Sequence, residues 1–292
     1  MKRAARYSLV ISMVIALYCG CKEKQDLYEY EVQVEKEPQR YPELTDAVKK
    51  LIESGKDINV PQEFCDPNSD LGVIINEQVR KQKCTPLLIA SSYGTLESVQ
   101  MLLDHSANVE SRDLSEGTPL HAAVWRAFPD TCKLLIEAGA QVNAKDMSGD
   151  TPIFDVVPAQ QRIWNISNAL EICSLLVNAG ADINIQNNIS YTPLHRYVTS
   201  PHPEIVEFLI KHGAKVDVTT DGERNTPLHT AMLGGEIETL KLLLDNGANI
   251  NARNKLGKTP LSEAKYFMKN GYTTEARQKE IIKYLKSRGA VE

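Results

Sequence analysis

Six histidines and six cysteines are the side chains of this 292-residue chain best suited to ligate a metal or attack a substrate. Three of the histidines, His121, His195 and His229, hold the fourth place of a Thr-Pro-Leu-His run. A neutral imidazole is both a proton acceptor and a metal ligand, so a thrice-repeated histidine invites a catalytic reading. Their neighbours do not support it. No histidine stands in a His-x3-His pairing with carboxylates, which would set two ligands on one helical face. His105 and His212 end apolar helical segments, where the helix dipole favours a cation, and His202 follows Pro201 in a turn. The chain has no phosphate-cradling glycine loop and no Gly-x-Ser-x-Gly elbow. The many Asp and Glu side chains follow polar faces and loop ends. No catalytic residue, metal site or cofactor is expected.

The cysteines divide by place. Cys132 and Cys173 each precede a Leu-Leu pair at the same point of a repeating segment, and read as small buried residues. Cys65 and Cys84 lie in or beside a stretch outside that repetition. Export to an oxidising compartment would allow a disulfide between them, although sequence does not fix their Cα separation. Cys19 and Cys21 end an N-terminal apolar run.

The elements that must position these residues come from one repeated unit. Thr-Pro begins at Thr85, Thr118, Thr151, Thr192, Thr226 and Thr259, in steps of 33, 33, 41, 34 and 33 residues. Threonine is a good N-cap, and proline fits the first turn, where a missing N–H costs nothing. A second apolar helical segment follows in each unit and closes on Gly139, Gly180, Gly213, Gly247 or Gly289. A left-handed backbone at a helix end is cheapest for glycine; Ser106 holds that place in the first full unit and is expected to be less favourable. Leu87, Leu120, Ile153, Leu194, Leu228 and Leu261 are expected to face the neighbouring unit, with Ala90, Ala123, Ala231 and Ala264 permitting close approach.

The aligned openings TPLLIA, TPLHAA, TPIFDV, TPLHRY, TPLHTA and TPLSEA, with closings such as LIEAGAQVNA and LLDNGANINA, resemble the ankyrin repeat. The resemblance spans residues 42–292 and implies an all-α solenoid of stacked helix pairs joined by hairpin-like loops. It gives about six full repeats, plus a partial one at Leu44–Val60 that closes on Gly55. It also implies that His121, His195 and His229 make structural hydrogen bonds between repeats. Asn143, Asn184, Asp217 and Asn251 are read as bonding turn backbone after the second helices. Residues 61–83 interrupt the pattern and read as an extended loop. Extra residues around 158–169 and 266–278 read as loop insertions, open either to partner contact or to neutral drift. Tyr197 stands where other units mostly place alanine, which predicts a local distortion.

The N-terminus has its own layout. Lys2, Arg3 and Arg6 precede an apolar run from Tyr7 to Tyr18, too short to span a bilayer comfortably. The following Cys-Gly-Cys-Lys resembles the end of a bacterial lipoprotein signal, which implies residues 1–20 as signal peptide and Cys21 as the lipidated residue. Tyr18 departs from that pattern, and a plainly cleaved signal or an uncleaved anchor are the alternatives. Lys22 implies outer-membrane sorting, with the folded part facing the periplasm. Residues 21–41 read as a charged tether. Removing Lys2, Arg3 and Arg6 takes the formal charge from −5 to −8, and the mature chain has no basic stripe, which argues against nucleic acid.

In ankyrin proteins partners touch the loop tips and the exposed face of each first helix. The positions that match here are the residue before Thr-Pro and those seven and eight after the threonine. Aromatic residues and arginine carry most interface energy, so the resemblance points to Tyr93, Trp125, Arg126, Asp150, Tyr191, Asn225, Lys258 and Tyr266, with Trp125 and Arg126 central. The expected function is non-catalytic binding of a protein partner by a monomer held to the membrane only through its lipid. An immunity protein that neutralises a toxin, or a structural or stress-protective envelope component, are the alternatives.

Overall fold

The computed structural model describes residues 43–62, 82–93, 95–156, 166–234, 236–270 and 274–292. Among them every regular element is helical. They fall into two compact units, one ending at Asp182 and the other beginning at Ile183. The expected signal peptide, the tether, Cys21, Cys65 and most of the inserts at 61–83 and 158–169 lie outside the described residues.

The unit ending at Asp182 contains α1 (Glu43–Glu53), α2 (Pro86–Tyr93), α3 (Leu96–Asp104), α4 (Pro119–Trp125) and α5 (Pro129–Glu137). A 3-10 turn (Pro152–Asp155) and α6 (Ile166–Asn178) complete it. First helices stack on first helices, as α2 on α4, and second helices on second helices, as α1 on α3 and α3 on α5. The expected leucines Leu87 and Leu120, and the alanines between them, are buried in this stack. The partial repeat at Leu44–Val60 supplies α1, which buries Leu44, Val48 and Leu51 against its neighbours.

The other unit contains α7 (Pro193–Tyr197), α8 (Pro203–Lys211), α9 (Pro227–Ala231), α10 (Ile237–Asp245), α11 (Pro260–Lys269) and α12 (Glu275–Ser287). Its pairs α7/α8, α9/α10 and α11/α12 stack in the same way. Tyr197 is fully buried at the end of α7. The extra residues of the last repeat do not form only a loop. They lengthen α11 to ten residues and α12 to thirteen, against five residues in α9 and nine in α10. The added start of α12 reaches back to the end of α9: Arg277 donates to the Gly234 carbonyl at 2.6 Å and Gln278 Nε2 to the Met232 carbonyl at 3.0 Å. Those carbonyls follow the last helical residue, where no intrahelical donor is available.

Each second helix ends as its sequence requires. At α5, Gly139 has φ of +93°, and the N–H groups of Gly139 and Ala140 return to the carbonyls of Ile136 and Leu135. At α3 the same pattern of bonds is made with Ser106 at φ of +65°. A Cβ is disfavoured in that region, so this cap stores strain the glycine caps do not.

Candidate functional site

The Thr-Pro-Leu-His runs decide the chemistry of their histidines. The backbone N–H of His121, His195 and His229 each donates to the preceding threonine Oγ1 at 3.4 Å. The threonine N–H returns to the imidazole Nδ1 at 3.2–3.3 Å. This reciprocal cap is a capping box with histidine in the usual glutamate place. An accepting Nδ1 puts the ring proton on Nε2. Nε2 then donates to the carbonyls of Asp150, Asn225 and Lys258 at 3.3, 3.2 and 3.0 Å, each in the next repeat. Both nitrogens are engaged, so these rings have no lone pair left for a metal or a substrate proton.

Burial carries the same message in energy. It lowers the His195 pKa from 6.5 to about 4, only partly opposed by the bond to Asn225, and it lowers that of His229 as well. His105 and His212 sit at helix C-termini, and each donates Nδ1–H to the carbonyl four residues back at 2.8 Å. Among the described residues, no group of three or more His, Cys, Asp and Glu side chains is placed to hold a metal ion.

Leu88, Phe154 and Ser262 hold the histidine place in the other three repeats, and Thr85 and Thr259 still cap the Leu88 and Ser262 N–H groups. The repeat at Thr151 departs further, with Phe154 fully buried. The Thr151 side chain makes no cap bond, its Oγ1 is buried without a partner, and the helix shrinks to a 3-10 turn.

The described cysteines are not reactive groups. Cys84, Cys132 and Cys173 are buried free thiols. Burial pushes the Cys84 thiol up to about 12, with a further push from Asp113, and the Cys173 thiol to about 12; Cys132 is raised too. A thiolate is the reactive form, so all three are inert while the fold is closed.

The positions expected to meet a partner fall into two clusters. In the unit ending at Asp182, Trp125 closes α4 half-buried, and Arg126 is its C-cap. The Arg126 guanidinium lies over the Tyr93 ring, 4.5 Å from its centroid, and its Nε donates to the Ser92 carbonyl at 2.8 Å. Asp150 departs from its expected role. It is only 3% exposed, its N–H donates to Asp146 Oδ1 at 2.9 Å, and its carbonyl receives His121. The residue is consumed by the link between repeats and does not offer its side chain to a partner.

In the other unit, Lys258 Nζ lies 4.1 Å from the centre of the Tyr266 ring and 3.3 Å from Glu263 Oε1. Glu263 is buried and also accepts Asn254 Nδ2 at 3.2 Å, while Asn254 Nδ2 reaches Asn225 Oδ1 at 3.0 Å. Asn225, Lys258 and Tyr266 are therefore brought into one cluster, with Tyr266 44% exposed at its edge. Tyr191 stands half-buried with its ring 5.4 Å from that of His195. Reading the acidic residues as solvated passes over Glu263. Its place four after Thr259 and beside the buried Ala264 was the available signal.

The asparagine and aspartate positions form a ladder within each unit. Asn143 Oδ1 accepts the Asp182 N–H at 2.8 Å and its Nδ2 donates to the Gly180 carbonyl at 3.0 Å. Asn184 repeats this with Lys215 and Gly213 at 2.8 and 3.0 Å, and Asp217 and Asn251 accept from Asn249 and Val291. The turn each one bonds is that of the following repeat. Asn59 extends the ladder backwards by accepting the Asn108 N–H at 2.7 Å, and Glu110 serves in the same way for Gln141.

Paired helices at a step near 33 residues, joined by histidine and asparagine cross-links, define a repeat protein of the ankyrin type. The family model described as ankyrin repeats (3 copies) matches residues 40–146, 163–254 and 216–291, and the chain belongs to that family. Ankyrin repeats generally mediate protein–protein interaction. The chain is 28% identical over 206 residues to mouse (Mus musculus) Rabankyrin-5, covering 70% of this chain and 17% of that protein. It is 40% identical over 75 residues to mouse ankyrin repeat and SOCS box protein 6, covering 25% of this chain and 18% of the relative. The chain thus spans less than a fifth of the length of these curated relatives. Among solved structures it is similar to the ankyrin repeat domain of Bcl-3, a member of the IkappaB family, with a TM-score of 0.58 and 20% identity over 82% of this chain and 91% of that one.

Proposed function

We propose that this chain is a non-catalytic scaffold that binds one protein partner on its first-helix faces and loop tips, as a monomer displayed in a bacterial envelope. The observation that carries the binding reading is the Tyr93–Trp125–Arg126 surface. There two aromatic rings and a guanidinium are held half-exposed at the ends of adjacent first helices, and these are the residue types that anchor interfaces. The engaged histidines and inert thiols support the absence of catalysis. The envelope reading rests on the basic, apolar and Cys21 segments of the N-terminus, and among the described residues no helix is long and apolar enough to cross a membrane.

Affinity capture from envelope extracts, with mass spectrometry of the retained proteins, tests the binding site. The double substitution Trp125→Ala with Arg126→Ala is expected to lose the captured partner while far-UV circular dichroism stays helical. Equal capture by the double variant removes these residues from the site.

A further inference from the structure

We propose that Arg126 is a preset receptor for a carboxylate, so that the partner presents an Asp or Glu side chain to the surface beside Trp125. The inference rests on the protein-binding reading and names the chemistry of its central contact.

An arginine side chain usually waves in solvent and loses rotamer freedom when it binds. Arg126 has given up that freedom already. Its Nε–H is held by the Ser92 carbonyl at 2.8 Å, and its plane rests on Tyr93 at 4.5 Å. Nε is only one of the guanidinium nitrogens. The two terminal nitrogens carry four more N–H donors, and among the described residues neither has an ion-pair or hydrogen-bond partner. What remains is a fixed, half-exposed pair of NH2 groups, the geometry that takes a carboxylate through two parallel bonds.

Asp155 lies on the 3-10 turn packed against α4, and it forms no ion pair with Arg126. From Thr85 to Tyr93 and from Thr118 to Phe128, Arg126 is the one permanently charged residue. The chain as a whole is acidic. A single cation on two helices that carry no other charge fixes the register of a partner, because one point along them rewards a negative group.

A phage-displayed library of random dodecapeptides, panned on the full chain without its signal peptide, tests this. The native protein is expected to enrich peptides with an Asp or Glu flanked by apolar residues. The best such peptide is then remade with Asn or Gln in place of its acid, and both versions are titrated against the native protein and the Arg126→Gln variant. Loss of the acid is expected to weaken binding to the native protein at least about tenfold. It is expected to change nothing in Arg126→Gln, where the neutral peptide reports that the surface is intact. Acid-containing peptides that bind both proteins alike, or selected peptides without acids, overturn the carboxylate inference and leave the binding reading standing. If the native protein enriches no peptide, both fall together.

Discussion

The histidines show how a chemically capable residue becomes structural. His195 is neutral in the folded chain because burial depresses its pKa to about 4 from 6.5. The unfolded chain binds a proton near 6.5, so between about pH 6.5 and 4 protons favour the unfolded state. Stability contributed by His195 is fully present above that window and falls as the pH drops through it, by on the order of 3 kcal/mol in all. His229 shifts in the same direction. Urea denaturation at pH 7 and pH 5 is expected to show a drop in midpoint that is smaller in His195→Gln. Ser106 makes the opposite kind of prediction. Its left-handed cap lacks the glycine of its counterparts, and Ser106→Gly is expected to raise stability by about 0.5 kcal/mol, the strain relieved less the added freedom of the unfolded chain. The same denaturation curves measure it. Native-state labelling with a thiol reagent is expected to leave Cys84, Cys132 and Cys173 unmodified until denaturant is added, since their thiols are buried and held protonated.

Among the elements, the cross-repeat ladder explains why short helices are stable at all. Helices of five residues, such as α7 and α9, cannot stand alone in water. Each is held by its threonine cap, its histidine bond to the next repeat and the apolar stack. Asn184→Ala removes two bonds, to Lys215 and Gly213, and is expected to cost about 1–2 kcal/mol. The loss should appear in hydrogen exchange as faster exchange of the Lys215 amide. Most of these elements could be read in advance from Thr-Pro and the closing glycines, because caps are local and depend on a few consecutive residues. Three outcomes could not. The extra residues of the last repeat went into longer helices, since Arg277 and Gln278 found carbonyls to cap on α9, more than forty residues earlier. Asp150 went inward because its backbone was needed by His121. Glu263 was buried because Lys258 and Asn254 lie against it.

For the whole molecule, the anchoring proposal predicts a partition. Expressed in a bacterium with a lipoprotein export pathway, the native chain is expected in the membrane fraction and Cys21→Ser in the soluble or retained precursor fraction. Equal membrane association of the two forms removes Cys21 as the attachment point. The binding surface is a different case. Its residue types stood at positions the repeat resemblance marks out, yet their usefulness turned on contacts between repeats.

The sequence by itself determined the repeat, its helix starts and stops, and the structural place of its histidines and glycines. The repeat and its helix ends follow from spacing and from bonds within one turn of chain, while the place of the histidines, whose bonds reach the next repeat, was what the ankyrin resemblance implied. Only the tertiary structure decided which candidates remain available. Arg126 meets Tyr93 across thirty-three residues and Lys258 meets Glu263 and Tyr266 in the fold, while Asp150 is spent on holding two repeats together. The reason is physical: the repeat pattern sets the register of each unit, but burial and partner choice are properties of the surface where units meet.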